Sequence, residues 1–315
     1  MKLLRRQGWL LLCLLSSACN RVIDSQPTPV PANQTIPASA IQAVVARFPQ
    51  AELMVFAPLE KNQVWRVSFQ QKTVPYQAVT NPQLLLVAYQ ATNPTVPDSL
   101  KATLTNSVVD GGVLSNLRLQ AYNPVTSPND RIVLADYDWQ NTRYTVRWTI
   151  TTLSGQVTYL TELLPETQLQ YRTEALADLP PLLQQSLAEQ QVAFDNAQVQ
   201  VNGQAKKRYS LTVRQGSAFY TLLYDDAGQL LGAVNLGVAQ HYTAINQLPD
   251  AIQSYLSRTP ELANFTLGGQ FSILAKTPYR GLETYTVNLQ KGRQTWLMTF
   301  DKVGQLVTRS YLNLV

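Results

Sequence analysis

An internal repeat constrains the fold of this 315-residue chain more than any other feature of its sequence. Tyr285 to Leu306 repeats the pattern of Tyr209 to Leu230, with six matched columns that each lie 76 positions apart. The matched pairs are Tyr209/Tyr285, Gly216/Gly292, Tyr220/Trp296, Tyr224/Phe300, Asp225/Asp301 and Gly228/Gly304. Six columns in one phase indicate a duplicated folding unit.

Each copy of the repeat is typical of an antiparallel meander. Strict alternation in Tyr285-x-Val287-x-Leu289 gives an extended segment one apolar face and one polar face. Gly292 follows where a hairpin needs a residue that tolerates positive φ. Asp301-x-x-Gly304 then predicts a second reversal, which the Asp side chain can cap.

A short helix is predicted before each meander. Leu248-Pro249 opens a stretch with apolar residues at helical spacing, and Leu179-Pro180 opens the matching stretch of the earlier copy. Similar openings occur at Ile36-Pro37 and Val96-Pro97. The sequence therefore predicts four units, which begin near residues 36, 96, 179 and 248.

A proline-opened helix, Tyr-x-Val, a glycine turn, an aromatic run and Asp-x-x-Gly-x-Leu together resemble the PepSY-like, β-lactamase-inhibitor-like (BLIP-like) repeat of secreted and lipid-anchored bacterial proteins. The resemblance implies an α+β fold of tandem repeats, in which a helix packs on a four-stranded antiparallel meander sheet. It also implies that the units pair as two BLIP-like domains, whose concave sheet faces can hold a protein partner, and it implies no catalysis.

This interpretation divides the chain into two pairs of units. The first pair spans residues 36–163, with units near 36–91 and 96–163. Residues 164–178 are expected to form a linker, because they contain Pro165 and little alternation. The second pair spans residues 179–315, with units near 179–238 and 248–315.

The N-terminus indicates export and lipidation. Residues 1–18 combine a basic start, a short apolar core and small residues before Cys19, which resembles a bacterial lipoprotein signal peptide. The resemblance implies cleavage before Cys19 and its acylation; the alternative is an ordinary signal peptide cut after Ala18. Asn20 favours the outer membrane in Gram-negative lipoproteins, facing the periplasm or the cell surface. Residues 19–35 contain three spaced prolines and predict a tether.

The charge of the mature chain argues against nucleic acid as a partner. The first 18 residues hold three of the 25 basic residues and none of the 20 acidic ones, which leaves a mature net charge of only +2. Charged residues make up 14% of the chain, too few for a phosphate-binding stripe.

The inventory of reactive side chains predicts no catalytic residue, no metal site and no cofactor. His241 is the single histidine, and the mature chain keeps no cysteine besides Cys19, so the usual triads and soft-metal sites cannot be built. Asp130, Asp136 and Asp138 cluster in sequence, but calcium-loop spacing is missing, and a solvated strand edge is the expected setting.

Four aromatic residues in the second unit are the candidate partner-binding residues. Tyr144 and Trp148 alternate with Val146 and are expected in the core. Tyr137 and Trp139 precede that strand and are expected to be partly exposed, where a recognition patch could form.

The leading functional interpretation is a non-catalytic cell-envelope lipoprotein, anchored through Cys19, that binds or scaffolds an unknown protein partner through its sheet faces. The alternatives are an inhibitor of a secreted hydrolase and a glycan- or peptidoglycan-binding module. An enzyme that uses carboxylates alone would need two acids roughly 5 to 10 Å apart in a cleft.

Overall fold

The computed structural model describes residues 36–92, 95–268 and 272–315. The predicted signal peptide, the tether and Cys19 lie outside these residues. Four α-helices and eighteen strands follow one another in the described parts of the chain.

The helices are short, and each begins directly after a proline: Pro37, Pro97, Pro180 and Pro249 occupy the N-cap positions. Proline suits this place because its fixed φ fits the start of a helix and its missing N–H is not needed there. The helices are α1 (Ala38–Arg47), α2 (Asp98–Ala102), α3 (Pro181–Glu189) and α4 (Asp250–Arg258).

The strands come in runs separated by these helices. The first two runs are β1 (Glu52–Glu60), β2 (Val64–Gln71), β3 (Val74–Thr80), β4 (Leu85–Ala91), β5 (Val113–Tyr122), β6 (Asp130–Trp139), β7 (Thr142–Leu153), β8 (Gln156–Pro165) and β9 (Leu169–Thr173). The later strands are β10 (Ala193–Val201), β11 (Lys207–Gln215), β12 (Ala218–Tyr224), β13 (Leu230–Val234), β14 (Gln240–His241), β15 (Ile273–Tyr279), β16 (Leu282–Lys291), β17 (Gln294–Asp301) and β18 (Leu306–Leu314).

The strands form two antiparallel sheets of very different size. The large sheet has 13 strands in the order β1-β2-β3-β4-β5-β6-β7-β8-β18-β17-β16-β15-β14. The small sheet has five strands in the order β13-β12-β11-β10-β9. All strand pairs are antiparallel neighbours in sequence except β8 with β18, which joins the first half of the chain to its end.

The predicted α+β fold of helix-plus-four-strand repeats is wrong. The described residues are 53% strand and 15% helix, and most strands belong to one continuous sheet. The predicted pairing into two BLIP-like domains fails for the same reason. Hydrogen bonds run from β4 to β5 and from β8 to β18, so the expected four-stranded sheets have no free edges at these junctions.

The segment expected to be a linker, residues 164–178, is part of the fold. It contains β9, which pairs along its length with β10. Leu169 and Tyr171 are buried there in the core between the sheets. The local alternation is too short to reveal this strand, because only five residues are involved.

Three apolar clusters hold the layers together. In the first, α1 packs on one face of β2 to β4 around Trp65 and Val67. In the second, the small sheet and α3 pack on the opposite face of the same strands, around Val64 and Val79. The third joins α2 and α4 to the sheet on both sides of the β8–β18 junction.

The two copies of the repeat have the hairpin geometry that the sequence predicts. Gly216 and Gly292 lie in the β11–β12 and β16–β17 turns with φ of 61° and 58°. In the next turns, Asp225 Oδ1 accepts from Gln229 N, and Asp301 Oδ1 accepts from Gln305 N, both at 2.8 Å. The turn predictions are therefore confirmed, although the surrounding sheets differ from the expected ones.

Candidate functional site

A cleft of about 700 Å³ opens beside the small sheet, on the face of the large sheet that the small sheet leaves uncovered. Alternation along β2 places Ser68 and Gln70 on the same face as Val64, which the small sheet covers. Ser68 lies opposite Gln77 on β3, and Gln77 lies opposite Tyr89 on β4. One face of the sheet thus changes from aliphatic under the small sheet to amide and hydroxyl in the cleft.

The back of the cleft is formed by the connection between β8 and β9. The buried Arg118 guanidinium on β5 donates to Gln168 O at 3.0 Å and to Thr167 O at 3.5 Å. The Thr145 hydroxyl also bonds Thr167, accepting from its N–H and donating to its carbonyl. These bonds fix the connection over the sheet and place the Gln168 side chain at the cleft.

Two bulged strands bring Leu53 and Asn116 to the rim of the cleft. Leu53 has φ of 54° at an irregularity in β1, and its side chain is 74% exposed. Asn116 has φ of 52° at a bulge in β5, where its amide donates to Asp136 Oδ2 at 3.1 Å. Positive φ suits Asn but is unusual for Leu.

The charged groups of the cleft are neutralised within the protein. Arg118 Nη2 lies 2.7 Å from Asp136 Oδ1, and both side chains are buried. Burial lowers the pKa of Arg118, while the neighbouring Asp136 carboxylate raises it. At the rim, Arg143 binds Asp138 through two nitrogens, and this hydrogen bonding lowers the pKa of Asp138. No cation or anion lining the described cleft is left without a counter-charge.

Tyr89 is a fixed donor at the floor of the cleft. Burial raises the pKa of its hydroxyl to about 12, so the group stays protonated near neutral pH. Its O–H donates to Gln170 O at 2.9 Å and ties β4 to β9. The ring therefore separates this cleft from a smaller cavity on the other side, which Tyr89 also lines.

By contrast, five polar side chains of the cleft make no hydrogen bond to any described residue. These are Ser68, Gln70, Gln77, Ser115 and Gln168. Amides carry both donors and an acceptor, and a hydroxyl can do either. The cleft thus presents free, uncharged hydrogen-bonding groups beside an already neutralised ion pair.

Two other cavities have fewer such groups: among the described residues, Thr149 and Gln198 lack a side-chain partner in one, and Gln200 lacks one in the other. In a cavity of about 340 Å³ between the sheets, Gln120 donates to Thr126 and Asp130 accepts from Thr151. In a cavity of about 630 Å³ beside β11, Asn202 and Asp226 accept from backbone N–H groups of nearby turns. Their polar groups mainly hold the protein together, which makes the first cleft the candidate functional site.

The structure places the candidate partner-binding residues Tyr137 and Trp139 in the core. They are 1% and 5% exposed, so the expectation of partial exposure is wrong. The Tyr137 hydroxyl donates to Val109 O and accepts from Gly112 N, and Trp139 Nε1 donates to Asp110 O. Both rings therefore anchor the segment after α2.

Tyr144 and Trp148 lie where their alternation predicts. Trp148 is fully buried, and its Nε1 donates to Thr103 Oγ1 at 2.9 Å. Tyr144 is partly buried against the same cluster and contacts the Trp139 ring, with the centroids 6.0 Å apart. The four candidates thus meet in one cluster, but as packing residues, and they do not line the cleft.

The three aspartates that cluster in the sequence, Asp130, Asp136 and Asp138, are each bound to another side chain of the protein. Asp136 lies on an interior strand with Arg118, which corrects the expectation of a solvated strand edge. His241 is exposed and its Nε2 lies 2.9 Å from Leu236 O. Within residues 36–92, 95–268 and 272–315, no three His, Cys, Asp or Glu side chains converge as a metal site would require.

Sequence reasoning missed the cleft because its signal is weak. Ser68, Gln70 and Gln77 occupy the polar side of alternating strands, which normally faces solvent. Only the position of the small sheet turns this part of the face into a cleft. The break in alternation at Ser115 and Asn116 is the one local sign, since it marks the bulge.

A comparison of the sequence with models of known protein families finds no match, and a comparison with curated proteins also finds none. Among the described helices, none has the length and apolar character needed to cross a bilayer.

Proposed function

We propose that this chain is a non-catalytic binding protein of the bacterial cell envelope, anchored by a lipid on Cys19, and that the cleft holds its ligand. The observation that carries the proposal is the set of five unbonded polar side chains around one concave surface. Ligand sites combine a preformed cavity with a few converging polar groups.

A binding role fits this cleft better than catalysis by carboxylates. Asp136 is the one carboxylate among the described residues that line it. Its two oxygens accept from Arg118 and Asn116, so neither is free to act as a base. Acid–base hydrolysis would need a second acid at the same cleft.

The experiment is affinity capture from envelope extracts with the purified full-length chain. The test variant, Gln70→Ala with Gln77→Ala, removes two free amides of the cleft. The control, Gln42→Ala with Gln215→Ala, removes two exposed amides that line none of the three cavities. Both variants should unfold at the same temperature as the parent, because all four side chains lack internal hydrogen bonds.

The proposal predicts that one component, protein or glycan, is captured by the parent and the control and is lost from the cleft variant. Equal capture by all three proteins would contradict it.

A further inference from the structure

We infer that the ligand of this cleft is an uncharged, hydroxyl-rich oligosaccharide. The inference rests on the proposed binding function and adds the chemical class of the ligand. It follows from two properties of the cleft: its balance of charge and its free hydrogen-bonding groups.

The charge balance disfavours an ionic ligand. Arg118 and Arg143 are each bound to an aspartate, at 2.7 and 3.0 Å. An anionic ligand would have to compete with these carboxylates, and a cationic ligand with these guanidinium groups. Breaking the buried pair would leave an uncompensated buried charge, which is strongly unfavourable. A neutral ligand meets no such obstacle.

The free groups suit vicinal hydroxyls. Gln70, Gln77 and Gln168 each offer two donors and an acceptor on a planar amide, and Ser68 adds a hydroxyl. A sugar hydroxyl both donates and accepts, so adjacent hydroxyls can be bound by one amide. Groups that are uncharged and unbonded in the free protein give up only water when such a ligand binds.

The aromatic rings of the cleft are buried or packed against one another, which leaves few central anchors for a protein interface. Phe69 and Tyr89 line the cleft but are both 3% exposed, so their rings are already buried in the apolar cores. Tyr76 is partly buried and stacks on the Phe69 ring, with the centroids 5.1 Å apart, and the exposed Leu53 lies at the rim. Protein interfaces draw most of their affinity from central aromatic or aliphatic anchors in desolvated pockets. The volume of about 700 Å³ is instead typical of a site for a small molecule.

The test is calorimetric titration of the full-length chain with three defined probes. Two are neutral, a tetramer of N-acetylglucosamine and a glucose hexamer, and one is charged, a tetramer of galacturonic acid. At least one neutral probe should bind, with an affinity that does not change between low and high salt. The charged probe should bind more weakly than the neutral one.

The variants localise the effect. Gln70→Ala and Gln77→Ala should each weaken binding of the neutral probe by about threefold to tenfold, the loss expected for one or two neutral hydrogen bonds. Gln42→Ala and Gln215→Ala should leave it unchanged. The inference is overturned if neither neutral probe binds at millimolar concentration, or if the cleft variants bind as well as the parent.

This outcome is separable from the wider proposal. If envelope capture depends on Gln70 and Gln77 while the neutral probes fail, the cleft binds a different class of ligand and only the oligosaccharide inference falls. If capture is also independent of these residues, both proposals fall.

Discussion

The two copies of the repeat have nearly the same hairpins but lie in different sheets. Tyr209 to Leu230 supplies the centre of the five-stranded sheet, whereas Tyr285 to Leu306 lies within the 13-stranded sheet. The difference begins at the last strand of each copy. β13 has five residues and ends at Val234, while β18 has nine and extends far enough to pair with β8. Equivalent local patterns therefore fix the hairpins but not the sheet that they join.

The outer edge of the last strand is hydrogen-bonded differently in the two copies. The N–H groups of Ala233 in β13 and of Asn235 just after it donate to the hydroxyls of Thr284 and Thr277 in the large sheet. Along β18, backbone bonds to β8 continue the ladder. Side-chain hydroxyl groups thus accept from the edge N–H groups of the small sheet, and the two sheets remain separate.

The largest expected difference between the copies is at the matched pair Tyr220 and Trp296. Trp296 is 1% exposed and lies between Tyr311 and the Arg309 guanidinium, so Trp296→Ala should destabilise the protein by about 3 to 5 kcal/mol. Tyr220 is only partly buried, against Tyr279, and Tyr220→Ala should cost about 1 to 2 kcal/mol. Urea unfolding followed by circular dichroism checks this order; equal losses would show that the two cores are alike.

The turn glycines give the next effect. A Cβ on Gly304 would lie 2.5 Å from Ala251 Cβ and close to the α4 backbone, so Gly304→Ala combines a strained φ with overpacking and should cost about 2 to 4 kcal/mol. A Cβ on Gly228 would meet the end of the Leu182 side chain, which is 55% exposed and can move, so Gly228→Ala should cost about 1 to 2 kcal/mol.

Gly216→Ala and Gly292→Ala are the controls for the glycine prediction. Both residues have positive φ, and nothing lies within 4 Å of the added Cβ. They should therefore report the backbone strain alone, about 1 kcal/mol each. Thermal unfolding of the four variants separates strain from helix contact, and a Gly304→Ala loss no larger than that of Gly292→Ala would refute the close approach of α4.

Thr284→Val tests how the edge of the small sheet is satisfied. The change leaves the buried Ala233 N–H without its acceptor, at an expected cost of about 1 to 3 kcal/mol. Thr286→Val is the matched control on the same strand face, because the buried Thr286 hydroxyl has no partner among the described residues. Its replacement should be neutral or slightly stabilising. Denaturant midpoints that fall equally for both would argue against the proposed edge cap.

The smallest expected difference concerns the capping aspartates. Asp301 Oδ1 accepts from the N–H groups of Val303 and Gln305, whereas Asp225 Oδ1 accepts from that of Gln229. Asp301→Ala should cost about 1 kcal/mol and Asp225→Ala about half of that. Asn at either position keeps an acceptor and should restore most of the loss. The comparison fails if Asp225→Ala is the more damaging change.

Local structure could be predicted from the sequence because its causes are local. Pro-opened helices and the Gly216, Gly292, Asp225 and Asp301 turns depend on residues only a few positions apart. The sheets could not be predicted in this way, since nothing in the alternation of β18 specifies that its free edge meets β8. The prediction that Tyr137 and Trp139 are partly exposed is wrong because their hydrogen-bond partners come from the segment after α2. That segment has no clear hydrophobic periodicity.

The cleft was unpredictable for a related reason. Ser68, Gln70 and Gln77 occupy alternating positions that are typical of solvent-facing strand residues. Whether they face open solvent or a cleft depends on how far the small sheet extends. The position of the small sheet thus decides which of these polar side chains line a candidate binding site.

The most direct test of the account is photo-crosslinking in the cells that make the protein. A photoreactive amino acid would replace Gln77 in the cleft or, as a control, Gln215 on the exposed end of β11, each in the full-length chain. The account predicts an adduct from position 77 and none from position 215. An adduct of equal yield at both positions, or none at position 77, would contradict a ligand in this cleft.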